Sequence, residues 1–215
     1  QDIQVQLQFK KEHLLKKSFE RKNLSYVVFH QENKLQKLQE IATNVKGSGV
    51  VYVRNRRETQ EVAAWLYKEG ISADFYHAGV DMAIRSQKQE AWIANKTRIM
   101  VATNAFGMGI DKPDVRFVVH LDLPESLEAY YQEAGRAGRD EQKAYGVLLY
   151  NENDRLQIIE RYKTAFPTVE QIREVYQALS NYFQLAIGAG EGQNFDFDIA
   201  EFCQKNKLSV ITVFN

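Results

Sequence analysis

A single cysteine, Cys203, stands in 215 residues. A lone thiol forms no internal disulfide and cannot alone build a zinc site, which takes about four ligands, so Cys203 reads as a small, partly buried apolar side chain. No run of about 18 apolar residues is present to cross a bilayer, and Gln1 to Lys22 is polar and charged, unlike a signal peptide. The cytoplasm is the default compartment. Charge of one sign is also missing: 28 Lys and Arg balance 28 Asp and Glu, so any contact with a polyanion must be local rather than announced by composition. The sequence has no Gly-x-x-x-x-Gly-Lys-Ser/Thr phosphate loop and no Asp-Glu-x-His or similar acidic pair after a strand to hold magnesium. The chain is therefore not expected to hydrolyse a nucleoside triphosphate unaided. No Ser/His/Asp or Cys/His triad is visible, and His13, His30, His77 and His120 show no partner pattern. Gly188 to Gly192 is no dinucleotide fingerprint, because no strand leads into it with a helix behind.

What is present is enough to build a core: 44% hydrophobic and 26% charged residues suit a soluble globular domain with a smaller appendage. Short β-branched runs alternate with helical-period segments, the pattern of βαβ units around a parallel sheet. The expected strands are Ser25–Phe29, Gly49–Val53, Ala73–Tyr76, Arg98–Ala102, Arg116–His120 and Gly146–Tyr150. Helices are expected over Lys34–Asn44, Glu58–Glu69, Met82–Asn95 and Ser126–Ala137. Val50-Val51-Tyr52-Val53 and Val118-Val119 are too continuously apolar for one-sided strands and should be central, covered on both faces. After Tyr150 the pattern becomes helical, with Asn153–Ala165 and Thr168–Phe183 split by Pro167. A Gly-rich loop, a short helix near Asp198–Lys205 and a last run Ser209–Phe214 follow. The boundary is expected near Lys163, with a tail too short for its own core that opens a larger helical or winged-helix module.

Three segments carry chemistry. Gln132-Glu133-Ala134-Gly135-Arg136-Ala137-Gly138-Arg139-Asp140 sets two arginines three apart near a helix end, among glycines that admit another surface. Forked guanidinium donors suit an oxyanion or phosphate. The alternative is a surface salt-bridge network using Asp140, Glu133 and Glu141. Ala102-Thr103-Asn104-Ala105-Phe106-Gly107-Met108-Gly109-Ile110-Asp111 follows a central strand, at the sheet edge where open α/β folds bind ligands; Thr103 and Asn104 offer polar atoms to a phosphodiester. The alternative is a tight crossover loop. Arg54 and Asn55, after another strand end, should point to the same edge, while Lys10, Lys11, Lys16, Lys17, Arg21 and Lys22 read as a solvated linker or a contact surface.

In order and spacing these segments resemble the second-lobe motifs of superfamily 2 helicases, and in wording the RecQ family. Ser18-Phe19-Glu20-Arg21-Lys22-Asn23-Leu24 resembles its lobe-joining segment, with Lys22 replacing a proline. Ser48 to Val53 resembles motif IV, and Gly70 to Ala73 with Tyr76-His77-Ala78-Gly79 resembles the element after it. Thr103 to Pro113 with Val115 to Val118 resembles motif V, and Tyr130 to Asp140 resembles motif VI. The resemblance spans about Ser18 to Tyr150. It implies a RecA-like three-layer α/β/α sandwich over residues 24–162, an inter-lobe linker and the end of a preceding lobe over 1–23, and the start of a helical accessory region over 163–215.

It further implies the second motor lobe of an ATP-dependent 3′–5′ DNA helicase acting in replication, recombination or repair, bacterial and nucleoid-associated. ATP and magnesium would be held mainly by a first lobe in cis. Arg139 would be the arginine finger, with Arg136 and Gln132 lining the same cleft and Gly109 and Asp111 facing it. Arg54, Asn55, His77, Gly79, Thr103 and Asn104 would lie along the single-stranded DNA track, near a duplex junction. Two departures stand out. The family's four zinc-binding cysteines have no counterpart in Thr168 to Phe202, where no metal is expected: either Val175, Tyr176, Leu179, Tyr182 and Phe183 supply an apolar core instead, the favoured reading, or the zinc lies beyond Asn215. Glu141 replaces the glycine usual after the motif VI aspartate, which puts the turn geometry in question. An RNA helicase lobe is disfavoured by the wording of Ala105 to Pro113, and a non-catalytic binding module by the intact arginines.

Overall fold

The computed structural model describes residues 6–8, 20–107, 110–186 and 188–214. Six strands, β1 (Leu24–His30), β2 (Ser48–Tyr52), β3 (Ala73–Tyr76), β4 (Ile99–Ala102), β5 (Val115–His120) and β6 (Ala144–Tyr150), form one sheet in the order β1-β6-β5-β2-β4-β3. The β2–β4, β2–β5, β3–β4 and β5–β6 pairs are parallel. This is the expected RecA-like α/β class. Every residue of β2 and β4 is buried; because successive side chains point to opposite faces, the centre of the sheet is covered on both.

Helices α1 (Lys34–Asn44), α2 (Arg56–Lys68), α3 (Met82–Ile93) and α4 (Leu127–Ala134) separate the strands. Asn33, Asn55, Asp81 and Ser126 cap them, each side chain accepting a first-turn N–H, which offsets donors that a helix start leaves unpaired. The cap at Asn55 starts α2 at Arg56, two residues earlier than the periodicity predicts. At the other end of the domain α4 stops at Ala134 rather than Ala137, because the chain turns at Gly135, and both arginines fall in the turn beyond it.

The chain divides into two compact units, Gln1–Phe29 with Asn33–Leu148, and His30–Glu32 with Leu149–Asn215. The second contains α5 (Glu152–Ala165), α6 (Val169–Tyr182), α7 (Ile199–Asn206) and α8 (Val210–Phe214). Capping boxes, Asn151 with Asp154 and Thr168 with Gln171, start α5 and α6. A stretch expected to be too short for a core gathers an aromatic one: Tyr182, Phe183, Phe195, Phe197 and Phe202 pack with ring centroids 4.7–6.3 Å apart. Cys203, beside Phe202 in sequence, is buried. Tyr176 instead lies half exposed, its hydroxyl accepting the Gly188 N–H.

In the first unit Gly49 sits where a Cβ would come within 2.2 Å of the Phe117 ring, and its carbonyl accepts the Trp92 indole N–H at 3.1 Å. Gly49→Ala is expected to destabilise this unit by roughly 1–3 kcal/mol through overpacking. Urea unfolding followed by tryptophan fluorescence checks it, since both tryptophans, Trp65 and Trp92, lie in this unit; Phe117→Leu in the same chain should recover part of the loss.

Candidate functional site

The strand order β5-β2-β4-β3 lines up four exit ends on one edge, followed in the chain by Asp122, Arg54, Asn104 and Gly79 respectively. Arg54 is anchored there: its N–H donates to Asp122 Oδ2 at 2.8 Å and its guanidinium to the Leu123 carbonyl at 3.1 Å. With Asn104 it lines a cavity of about 90 Å3 whose walls include Tyr52, His120 and Glu133. The other residues expected on this edge are engaged inwards. Asn55 Oδ1 accepts the Glu58 N–H at 2.9 Å as the α2 cap. Thr103 is buried, and His77 is buried with Nδ1 accepting the Gly79 N–H at 3.1 Å and its ring stacked on Phe75. Burial first, and then the positive charges of Arg56 and Lys88, hold the His77 imidazole below the ordinary histidine pKa. Gly79 is exposed beside the Arg56 guanidinium.

The arginines lie in the turn after α4, which reaches from the exit edge toward the entry end of β5. Because β2 lies between β4 and β5, residues 103–114 run from the exit of β4 to the entry of β5. The turn after α4 is tied to that entry end: Gly138 N–H donates to the Val115 carbonyl at 2.8 Å and Asp140 N–H to the Pro113 carbonyl at 3.2 Å. Arg139 donates to Asp111 Oδ1 at 2.8 Å and to the Ile110 carbonyl at 3.3 Å. Arg136 donates to the Gly107 carbonyl at 2.5 Å, and its Nε is buried without a partner. Gly107 has φ +141°, and a Cβ there would fall 2.1 Å from the Arg136 guanidinium carbon; the glycine is what lets the arginine lie against the loop. Gln132 does not join them. It lines a separate depression with Arg21, Tyr26 and Tyr131. Gly109 lies outside the described residues, as do Lys10, Lys11, Lys16 and Lys17.

Two of the acids expected to engage the arginines do other work. Asp140 pairs with Arg116 at 2.6 Å, whose hydrogen bond holds the carboxyl below the usual range, and Glu133 Oε2 accepts from His120 Nε2 at 2.8 Å. Glu141, in place of glycine, adopts φ +64°, so the turn keeps a left-handed residue with a side chain attached. Arg21 is no solvated linker residue: its guanidinium donates to the carbonyls of Gly135 (3.0 Å), Ala137 (2.9 Å) and Gly138, and Asn23 donates to Gly138 at 2.7 Å. Arg21, Asn23 and the His120–Glu133 pair escape sequence reading, since their partners lie 13 to 119 positions away.

A mainly parallel sheet in this strand order, with a paired-arginine turn packed beside it and polar residues along its exit edge, is a RecA-like α/β domain. Residues 31–141 match the helicase conserved C-terminal domain, and the chain belongs to that family. Within it the sequence is RecQ-like. It is 43% identical over 155 residues to the ATP-dependent DNA helicase RecQ of Pasteurella multocida, covering 72% of this chain and 24% of that protein. It is 43% identical over 162 residues to a RecQ-like DNA helicase of Caenorhabditis elegans, covering 73% of this chain and 16% of that protein. The chain thus spans about a quarter or less of the length of these relatives. Among solved structures, the Escherichia coli DEAD-box protein SrmB, bound to regulator of ribonuclease activity A, superposes with a TM-score of 0.57 at 27% identity over 63% of this chain and 82% of that one.

The buried His77 gives a pH dependence with a definite sign. Its folded pKa lies below the ordinary 6.5, so between those two values the unfolded chain binds a proton that the folded chain does not, and stability falls as pH drops through that window. His77→Gln should lose less stability than wild type between pH 7.5 and 5.5 in urea titrations; equal slopes would place the ring in an ordinary solvated setting.

Proposed function

We propose that this domain is the second motor lobe of an ATP-dependent 3′–5′ DNA helicase that unwinds duplex DNA, working against a first lobe in cis that holds ATP and its magnesium ion. The observation that carries the reading is the placement of Arg136 and Arg139 in one turn, Arg136 with a buried unpartnered Nε and Arg139 about one-third exposed. That donor set fits an anionic phosphoryl oxygen. The nucleotide supplies the transferable phosphoryl group, and this lobe supplies positive charge where negative charge develops. Asp111 holds the Arg139 guanidinium in place at 2.8 Å. Without the other lobe the domain hydrolyses no ATP.

At the exit edge Arg54, Asn104 and Gly79 meet the phosphodiester backbone of single-stranded DNA. Asn55, Thr103 and His77 shape that edge from beneath. Such contacts tolerate sequence and weaken with salt. The DNA-directed reading is favoured over an RNA-directed one by 43% identity to RecQ proteins against 27% to the DEAD-box protein SrmB. Compartment and cellular process follow the same reading: a cytoplasmic enzyme at the nucleoid, acting in DNA replication, recombination or repair.

In the two-lobe protein, Arg139→Ala should lower DNA-stimulated ATP turnover by about 10³-fold or more while nucleotide and DNA binding are retained. Unchanged turnover would return the arginine to a surface ion pair. Arg54→Ala should weaken single-stranded DNA binding alike on all sequences and reduce the slope of log K against log salt by about 0.7; RNA stimulating turnover better than DNA would overturn the choice of substrate.

A further inference from the structure

His120 closes β5 with a side chain 1% exposed, yet it is bonded to α4: Nε2 lies 2.8 Å from Glu133 Oε2. A carboxylate only accepts, so Nε2 is the donor, and Nδ1 is buried with no partner. The ring stacks on Tyr52 at 5.2 Å between centroids, 20° from parallel. Tyr52 in turn donates its hydroxyl to the Phe106 carbonyl at 2.9 Å. Phe106 adjoins Gly107, whose carbonyl takes the Arg136 guanidinium at 2.5 Å. Three residues before Arg136, Glu133 closes the ring of contacts. Tyr52, His120 and Glu133 also wall the cavity whose rim carries Arg54 and Asn104. One buried group therefore touches the exit edge and the arginine-bearing segment at once.

We propose that the His120–Glu133 bond is a positioning strut: it fixes the end of α4 against the exit edge, so that DNA seated at Arg54 and Asn104 sets the placement of Arg136 and Arg139. This rests on the motor-lobe reading above. The strut touches neither phosphate nor nucleic acid, and it acts by removing slack between α4 and the exit edge. A packed, hydrogen-bonded element of this kind moves as a unit or not at all.

The test is ATP turnover of the two-lobe protein as a function of single-stranded DNA concentration, for wild type, Glu133→Ala, Glu133→Gln and Glu133→Asp. In Glu133→Ala the DNA-saturated rate should fall about tenfold, the size set by one hydrogen bond to a charged group. The DNA-free rate and the DNA concentration giving half-stimulation should stay within about twofold of wild type, a spread below 0.5 kcal/mol. Glu133→Gln, whose side-chain carbonyl can still accept from Nε2, should restore most of the stimulation. Should the alanine variant not fold, Glu133→Asp carries the test: it keeps the charge but withdraws the acceptor by one methylene, and the same loss of stimulation is expected. Wild-type stimulation in Glu133→Asp, or DNA-free and DNA-saturated rates falling by one common factor, overturns the strut. Full turnover in Arg139→Ala measured alongside would instead sink the motor-lobe reading itself.

Discussion

A parallel sheet with β2 wedged between β4 and β5 imposes one constraint from which the arrangement of the first unit follows. The chain leaving β4 must travel back along a full strand length before β5 can start, and it does so in residues 103–114 with no helix among those described. One end of that crossing is Thr103 and Asn104 on the exit edge; the other is Asp111, in contact with Arg139. A loop that elsewhere would be a connector thus becomes a line joining two chemically different ends of a rigid sheet. Gly107 lies along it, and the absence of a side chain there is what admits Arg136.

The turn bearing the arginines is held from several directions. Arg21 and Asn23 reach its carbonyls from the segment before β1, the entry end of β5 takes two of its N–H groups, and Arg116 grips Asp140. Such over-determination explains why Glu141 can persist at positive φ, a conformation that costs about 1 kcal/mol or more for a residue other than glycine. Asp140 and Glu133 are spent on this scaffold, and among the described residues Arg139 pairs with Asp111, a largely exposed carboxylate.

Sequence periodicity was a good guide to the elements because burial dictates it: apolar runs such as Val50-Val51 and Val118-Val119 do form central strands, and Lys34–Asn44 and Ala73–Tyr76 are reproduced end to end. Element ends were legible to within a turn: Asn55 caps its helix two residues earlier than expected, Met82–Asn95 ends at Ile93, Gly146–Tyr150 begins at Ala144, and Ser126–Ala137 gives way to a turn after Ala134. Motif wording grouped Arg136, Arg139, Gln132, Gly109 and Asp111; the structure sets Arg139 on Asp111 and Arg136 on the Gly107 carbonyl, leaves Gln132 in a separate depression, and Gly109 lies outside the described residues. What the one-dimensional pattern could not carry was orientation. Whether Thr103 and His77 face solvent depends on the carbonyls and rings above them, and the pairing of His120 with Glu133 depends on how α4 lies on β5. No spacing rule encodes either.

The second unit has a property that its sequence alone hides. The only thiol in the chain is shut away next to Phe202, beside a cluster of five aromatic rings. Because no other sulfhydryl competes, the reaction of a thiol reagent with this chain reports on the openings, local or global, that expose Cys203. The domain carries its own clock for the breathing of its helical appendage.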